Sequence, residues 1–143
     1  MTSLKENLDL ETTTEGKEIF SRAFWRRPTD DDRILHAERR QWSDPGKGVR
    51  VWQWFLAIKP GPELTGYLDT NPFRISSINL AALPSGEWVA DPPPWLPTLA
   101  EVREMRGQRS GDKRLMFIHD DAKGILYAFD TGTGFKAPVG TSR

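Results

Sequence analysis

The chain has 143 residues, among them twenty basic side chains, twenty acidic side chains, two histidines and no cysteine. This length fits a single domain, and the balanced charge gives no overall attraction to nucleic acid or to an anionic membrane. Because cysteine is absent, disulfides, thiolate nucleophiles and cysteine-ligated metals are excluded, and we expect a protein without a cofactor.

The amino-terminal residues 1–16 are polar and contain a run of threonines. Such a segment buries too little surface to offset the entropy of ordering, so it predicts a flexible tail before a single domain over residues 17–143. It also lacks the basic start and apolar run of a secretory signal. The longest apolar stretch, residues 54–58, is too short to cross a bilayer. We therefore expect a cytoplasmic protein with no membrane partner.

Two helices are predicted after the tail. Over residues 17–27 the apolar positions recur at helical spacing, and Pro28 ends the pattern. Thr29 and Asp32 have the spacing of a capping box, which predicts a second helix that runs to about Trp42. Its predicted inward residues are Ile34, Leu35, Glu38 and Trp42.

The clearest strand prediction covers residues 49–59. Aromatic and β-branched residues fill this stretch, and both of its alternating faces are apolar, which indicates a central strand covered on each side. A short helix is predicted over 62–68, followed by a strand over 73–83 and a brief strand over 87–90. Residues 91–97, DPPPWLP, predict an extended surface segment because proline has no amide donor.

The last third of the chain predicts a helix and a hairpin. Thr98 and Glu101 form a second capping box that opens the helix, and the polar residues 106–113 predict a loop. Residues 114–119 and 124–130 predict two strands joined by a tight turn. Together the elements predict an α+β fold: a mainly antiparallel sheet of about five strands with about four helices packed against it.

Residues 130–133, Asp-Thr-Gly-Thr, follow an apolar run and locally resemble the motif that presents the catalytic carboxylate of aspartic proteases. That family needs further strands after the motif and a second carboxylate. Only thirteen residues follow Asp130, and no other Asp-Thr-Gly occurs. Because these residue types are typical of a tight turn or bulge, we predict that Asp130 lies in a turn and is not a catalyst.

The densest polar cluster is His119, Asp120 and Asp121. In one interpretation the protein is a small hydrolase or nuclease in which His119 is a base oriented by Asp120, with His36 as its acid partner. In the other, His119 ends a strand and the two aspartates begin a hairpin turn. Two histidines without a motif specify neither a metal site nor an acid–base pair, so we predict no catalytic residue and no metal.

Six tryptophans require an explanation. Four lie on or near predicted inward faces and have a packing explanation: Trp25, Trp42, Trp52 and Trp54. Trp88 and Trp95 instead bracket the proline-rich segment, where they would form an exposed apolar ridge that binds a partner. The alternative is that both rings cover the edge of the sheet and hold the proline segment in place.

Basic and aromatic residues alternate over 22–27 and 39–42, as they do in nucleic-acid-binding grooves. Three carboxylates at 30–32 lie between them and would repel phosphate, so nucleic acid is not the expected partner. The favoured function is a non-enzymatic interaction or accessory module, of the immunity type for example, that binds another protein through Trp88, Trp95 and neighbouring loops. The hydrolase or nuclease remains the alternative, as does a small-ligand-binding domain with an aromatic pocket.

Overall fold

A computed structural model describes residues 9–44, 46 and 48–135. The predicted tail residues 1–8 and the residues from 136 onward lie outside the described part. Seven strands form one sheet in the order β1-β2-β3-β7-β6-β5-β4, with every neighbouring pair antiparallel. The strands are β1 (Glu11–Thr13), β2 (Arg33–Asp44), β3 (Val49–Lys59), β4 (Ile75–Ile78), β5 (Arg106–Ser110), β6 (Met116–Asp120) and β7 (Ile125–Phe135).

Three α-helices accompany the sheet in the described residues: α1 (Gly16–Phe24), α2 (Pro62–Asp69) and α3 (Leu99–Val102). Short 3-10 turns lie at Leu80–Ala82 and Ser85–Glu87. The predicted α+β class is confirmed, with seven strands where about five were expected. None of the helices in this part of the chain has the length and apolar character needed to cross a bilayer.

Both faces of the sheet are covered, as the two apolar faces of β3 predict. On one face, Leu56 and Ile58 of β3 pack with the buried side chains of α1 and α2. On the other face, Phe55 and Ala57 pack with the segment between residues 80 and 105, which contains the two 3-10 turns and α3. The central position of β3, between β2 and β7, follows from this double burial.

The predicted second helix is wrong, because its residues form strand β2. The Asp32 carboxylate accepts hydrogen bonds from the Thr29 amide at 2.8 Å and from the Gly61 amide at 2.6 Å. It therefore ties a turn to the loop before α2 and does not cap a helix. The predicted inward face does not exist either, since Ile34 packs with one core cluster and Leu35 with the other. Pairing with β3 along its whole length outweighs the local helix signal.

Other polar stretches also join the sheet. Residues 11–13, placed within the predicted tail, pair with β2 as strand β1. The predicted loop 106–113 contains strand β5, which pairs with both β4 and β6. The strand predicted over 73–83 is confined to β4, and the one predicted over 87–90 is absent: a 3-10 turn ends there and irregular chain follows.

Several local signals are confirmed. Helix α1 follows the predicted apolar stripe and ends at Phe24. In the Thr98–Glu101 capping box, the Glu101 amide donates to the Thr98 hydroxyl at 3.2 Å and the Thr98 amide donates to the Glu101 carboxylate at 2.8 Å. The Thr98 amide and the Thr98 hydroxyl, which both donate to the Glu101 carboxylate, lower the pKa of Glu101. The β6–β7 hairpin turns through Gly124, whose φ is 68°.

Candidate interaction surface

The structure separates the two histidines. His36 lies on β2 and stacks on Trp95 with ring centroids 5.0 Å apart, on the face covered by residues 80–105. His119 lies on β6 in register with Leu126, on the face covered by α1 and α2. Strands β2 and β6 are three spacings apart, about 14 Å at the usual ~4.8 Å per strand. The two imidazoles are therefore too far apart for the acid–base interpretation, because proton transfer needs direct or one-water contact.

His119 has its own structural environment. Its Nε2 lies 2.9 Å from Gln108 Oε1 on β5. Burial, with a contribution from the Arg106 guanidinium, lowers its pKa below the ordinary value of 6.5, which favours the neutral imidazole. Asp120 projects to the opposite face of the strand, and its carboxylate accepts the Lys123 amide at 3.2 Å in the hairpin turn. Asp120 therefore cannot orient the imidazole.

The polar residues of this hairpin do not combine into a metal centre. Asp121 pairs with Arg106 at 3.0 Å, and that hydrogen bond lowers the pKa of the Asp121 carboxyl. Within the part of the chain that the structure describes, no group of three or more His, Asp or Glu side chains is placed to hold a metal ion. The interpretation of His119, Asp120 and Asp121 as a strand end and a turn fits this geometry.

Asp130 lies within strand β7 and not in the predicted turn. It is opposite Trp54 of β3, and 19% of its side chain is exposed. Its Oδ1 accepts the Thr131 amide at 2.7 Å and lies 3.7 Å from Arg114 Nε. The Asp-Thr-Gly-Thr motif runs straight through an antiparallel ladder, so it lacks the loop that presents a protease carboxylate. The turn prediction failed because β3 is long enough to extend the pairing to residue 135.

The environment of Asp130 predicts a pH-dependent effect on stability. Burial raises the pKa of this carboxyl above its ordinary value of 3.8, although Arg114 acts in the opposite direction. The folded state therefore binds the proton more tightly than the unfolded chain does, and the ionised carboxylate costs stability above the folded pKa. As the pH falls through that pKa to below 3.8, this cost disappears.

We expect the substitution Asp130→Asn, which keeps an acceptor for the Thr131 amide, to raise the free energy of unfolding at neutral pH. The gain should shrink as the pH falls below 3.8, where the wild-type carboxyl is protonated as well. Urea denaturation of wild type and variant, at neutral pH and at a pH below 3.8, measures the difference in the free energy of unfolding. An equal gain at the two pH values would mean that desolvation of the charge is not the cause.

The two tryptophans that the sequence singled out cover the sheet. The Trp88 ring packs edge-on against Phe129 with centroids 5.6 Å apart, and the Trp95 ring stacks on His36. Both are half-buried and pack against the same core cluster. Between them in the chain, the Asp91 carbonyl accepts a hydrogen bond from Arg40 at 2.7 Å. This geometry fits the alternative in which the rings hold the proline segment on the sheet.

The exposed tryptophan is Trp25. It is 83% exposed, and no other large apolar residue in the described ranges is exposed. The predicted packing role for Trp25 is wrong, because α1 ends at Phe24 and Trp25 takes a left-handed backbone with φ 57°. A left-handed conformation is unfavourable for a bulky residue, and an exposed indole loses the benefit of burial. Strained residues of this kind cluster at binding sites.

Three arginines lie within three residues of Trp25 in the chain. Arg22 forms an ion pair with a glutamate one turn earlier in α1, at 3.3 Å. Arg26 lies over the Tyr67 ring, 4.7 Å from its centroid, which fixes the chain after α1 against α2. Arg27 is exposed and forms no ion pair within the described residues.

An open groove of about 710 Å³ lies between α1 and the turn that follows it. Lys17 and Asp30 line it with charges of opposite sign, and Pro28 and Ile34 contribute apolar surface. Arg27 belongs to the groove wall and is two residues from the exposed indole. We call the indole of Trp25, the guanidinium of Arg27 and this groove the Trp25 surface.

Sequence pattern alone did not identify the Trp25 surface. Position 25 falls within the predicted helix, and only the early end of α1 with its left-handed residue removes the indole from the core. Comparison with protein-family models, with curated proteins and with solved structures finds no match to this chain.

Proposed function

We propose that this protein is a non-enzymatic interaction module that binds another protein through the Trp25 surface. The observation that carries the proposal is a tryptophan that is 83% exposed, in a left-handed backbone conformation, two residues from an arginine without an ion pair in the described structure. Tryptophan and arginine are the residues most enriched among interface hot spots. In the complex, the indole enters an apolar pocket of the partner and Arg27 pairs with a carboxylate.

Trp88 and Trp95 are not part of this proposed interface, because each of those rings already has a packing partner. The hydrolase or nuclease alternative has less support, since its two histidines lie on opposite faces of the sheet. The small-ligand alternative also has less support. The groove beside α1 is open and is lined mainly by polar and charged side chains, whereas small-ligand pockets are enclosed and mostly apolar.

The substitution Trp25→Ala tests the proposed function. Because the ring is exposed, the free energy of unfolding should change by no more than about 0.5 kcal/mol. Loss of a hot-spot tryptophan should weaken partner binding by about 2 kcal/mol or more, which is roughly a thirtyfold increase in Kd. The partner is first captured from a lysate of the source organism on the immobilised wild-type protein and then purified. Calorimetric titration of the purified partner gives the Kd of each variant.

Two further variants accompany Trp25→Ala: one tests the same surface, and the other is a control outside it. Arg27→Ala should weaken binding without lowering stability, since Arg27 has no intramolecular ion pair in the described residues. Trp88→Ala removes an equal side chain from the sheet cover, so it should lower stability and leave the Kd nearly unchanged at a temperature where the variant is folded. If Trp88→Ala weakens binding and Trp25→Ala does not, the Trp25 surface is not the interface.

A further inference from the structure

The free edge of the sheet at β4 is closed by a side chain. In the described structure β4 pairs only with β5, so its other edge faces away from the sheet. On that side, Asn71 Nδ2 donates to the Ile75 carbonyl at 3.0 Å, and Asn71 Oδ1 accepts the Ile75 amide at 2.9 Å. These are the two hydrogen bonds that an additional antiparallel strand would form with Ile75. The carboxamide therefore occupies the place of an eighth strand.

The side chains of β4 provide little other protection. The strand reads Ile-Ser-Ser-Ile, with Ser76 and Ser77 exposed and no charge or proline within it. At the opposite edge of the sheet, β1 is shorter and carries Glu11, which pairs with Arg50 at 3.3 Å. Edge strands without charge, proline or cover are templates for pairing with another chain. Asn71 supplies the protection that β4 otherwise lacks.

The backbone at position 71 directs the carboxamide to this edge. Asn71 follows α2, and its amide donates to the Leu68 carbonyl at 2.9 Å. Its φ of 55° is left-handed, a conformation that asparagine adopts more readily than most residues. Asn71 thus completes the chain reversal after α2, and its side chain covers the free edge of β4.

The alternation of an antiparallel ladder shows what removal of the carboxamide would expose. Since the backbone groups of Ile75 point away from β5, those of Ser77 do so as well, while those of Ser76 point toward β5. Without Asn71, the edge offers two outward positions two residues apart. These two positions can pair with the same two positions of a second copy related by a two-fold axis at Ser76. In that arrangement Ile75 of each copy lies opposite Ser77 of the other.

We propose that Asn71 prevents β4 from pairing with β4 of a second copy of this chain, and that loss of the carboxamide opens the edge to antiparallel self-association. Asn71→Gly is the direct test, because glycine adopts a φ of 55° without strain and removes only the side chain. Sedimentation velocity over a concentration series should show a monomeric wild type and a dimerising variant. The Kd for dimerisation should fall at least about tenfold.

Two further variants make the result specific. Asn71→Asp keeps the acceptor for the Ile75 amide and loses the donor, so it should associate more than the wild type and less than Asn71→Gly. Adding Ser77→Pro to Asn71→Gly removes the second outward amide, and proline is tolerated on an edge strand, so the double variant should return to monomer. The proposal is overturned if the folded Asn71→Gly or Asn71→Asp protein stays monomeric. It is overturned equally if the double variant still dimerises or if the wild type pairs through β4.

Discussion

Replacing Phe117 with alanine is expected to lower the free energy of unfolding by about 3–5 kcal/mol. Phe117 is 2% exposed, and its ring lies 6.2 Å from Phe24 of α1 and 6.3 Å from Phe73. It therefore joins the helix layer and the residues before β4 to the middle of the sheet. Truncation leaves a cavity that the paired backbone of β6 cannot move to fill. Urea denaturation followed by circular dichroism measures the loss.

Two controls separate burial from aromatic character. Phe117→Leu keeps most of the buried volume and should cost distinctly less than the alanine substitution. Trp25→Ala removes a larger ring, but that ring is 83% exposed, so its effect should stay within about 0.5 kcal/mol. If Phe117→Ala were no more damaging than Trp25→Ala, the core described around α1 would be wrong.

The substitution Gly132→Ala should cost about 1–3 kcal/mol through overpacking. A Cβ at position 132 would lie 2.0 Å from Trp52 Cζ2 and 2.6 Å from Arg114 Nη2. Trp52 is opposite Gly132 in the β3–β7 ladder, and the Arg114 guanidinium lies over its ring, 5.4 Å from the centroid. The added methyl group must displace the indole and with it the arginine. Thermal or urea unfolding of the variant measures this cost.

A double-mutant cycle identifies the cause. In a Trp52→Ala background the added methyl group has no indole to displace, so Gly132→Ala should then be nearly neutral. Gly66→Ala should instead raise the free energy of unfolding, because a Cβ at this helical glycine meets nothing within 4 Å and alanine is the better helix former. An equal cost of Gly132→Ala in both backgrounds would point to the strand backbone and not to the indole.

The Trp25 surface depends on tertiary features that the local sequence pattern does not encode. The apolar stripe of α1 is visible in the sequence, but its end one residue before Trp25 depends on the left-handed turn after Phe24. The two histidines are equally visible, but only the pairing register places them on opposite faces, and only the strand order separates them by three strand spacings. Gly132 did carry a signal, since a glycine within a strand indicates close approach of another group. The prediction of a turn at Asp130 concealed it.

The sequence by itself determined the central strand over residues 49–59 with its two apolar faces, helix α1, the capping box at Thr98 and the last hairpin. Each depends on residue types within a few positions of one another. Only the tertiary structure decided that the polar residues 33–44 and 106–110 are strands, because their weak local preferences yield to the hydrogen bonds that neighbouring strands offer. That same pairing, and the docking of α1 against the sheet, decided which tryptophan remains exposed.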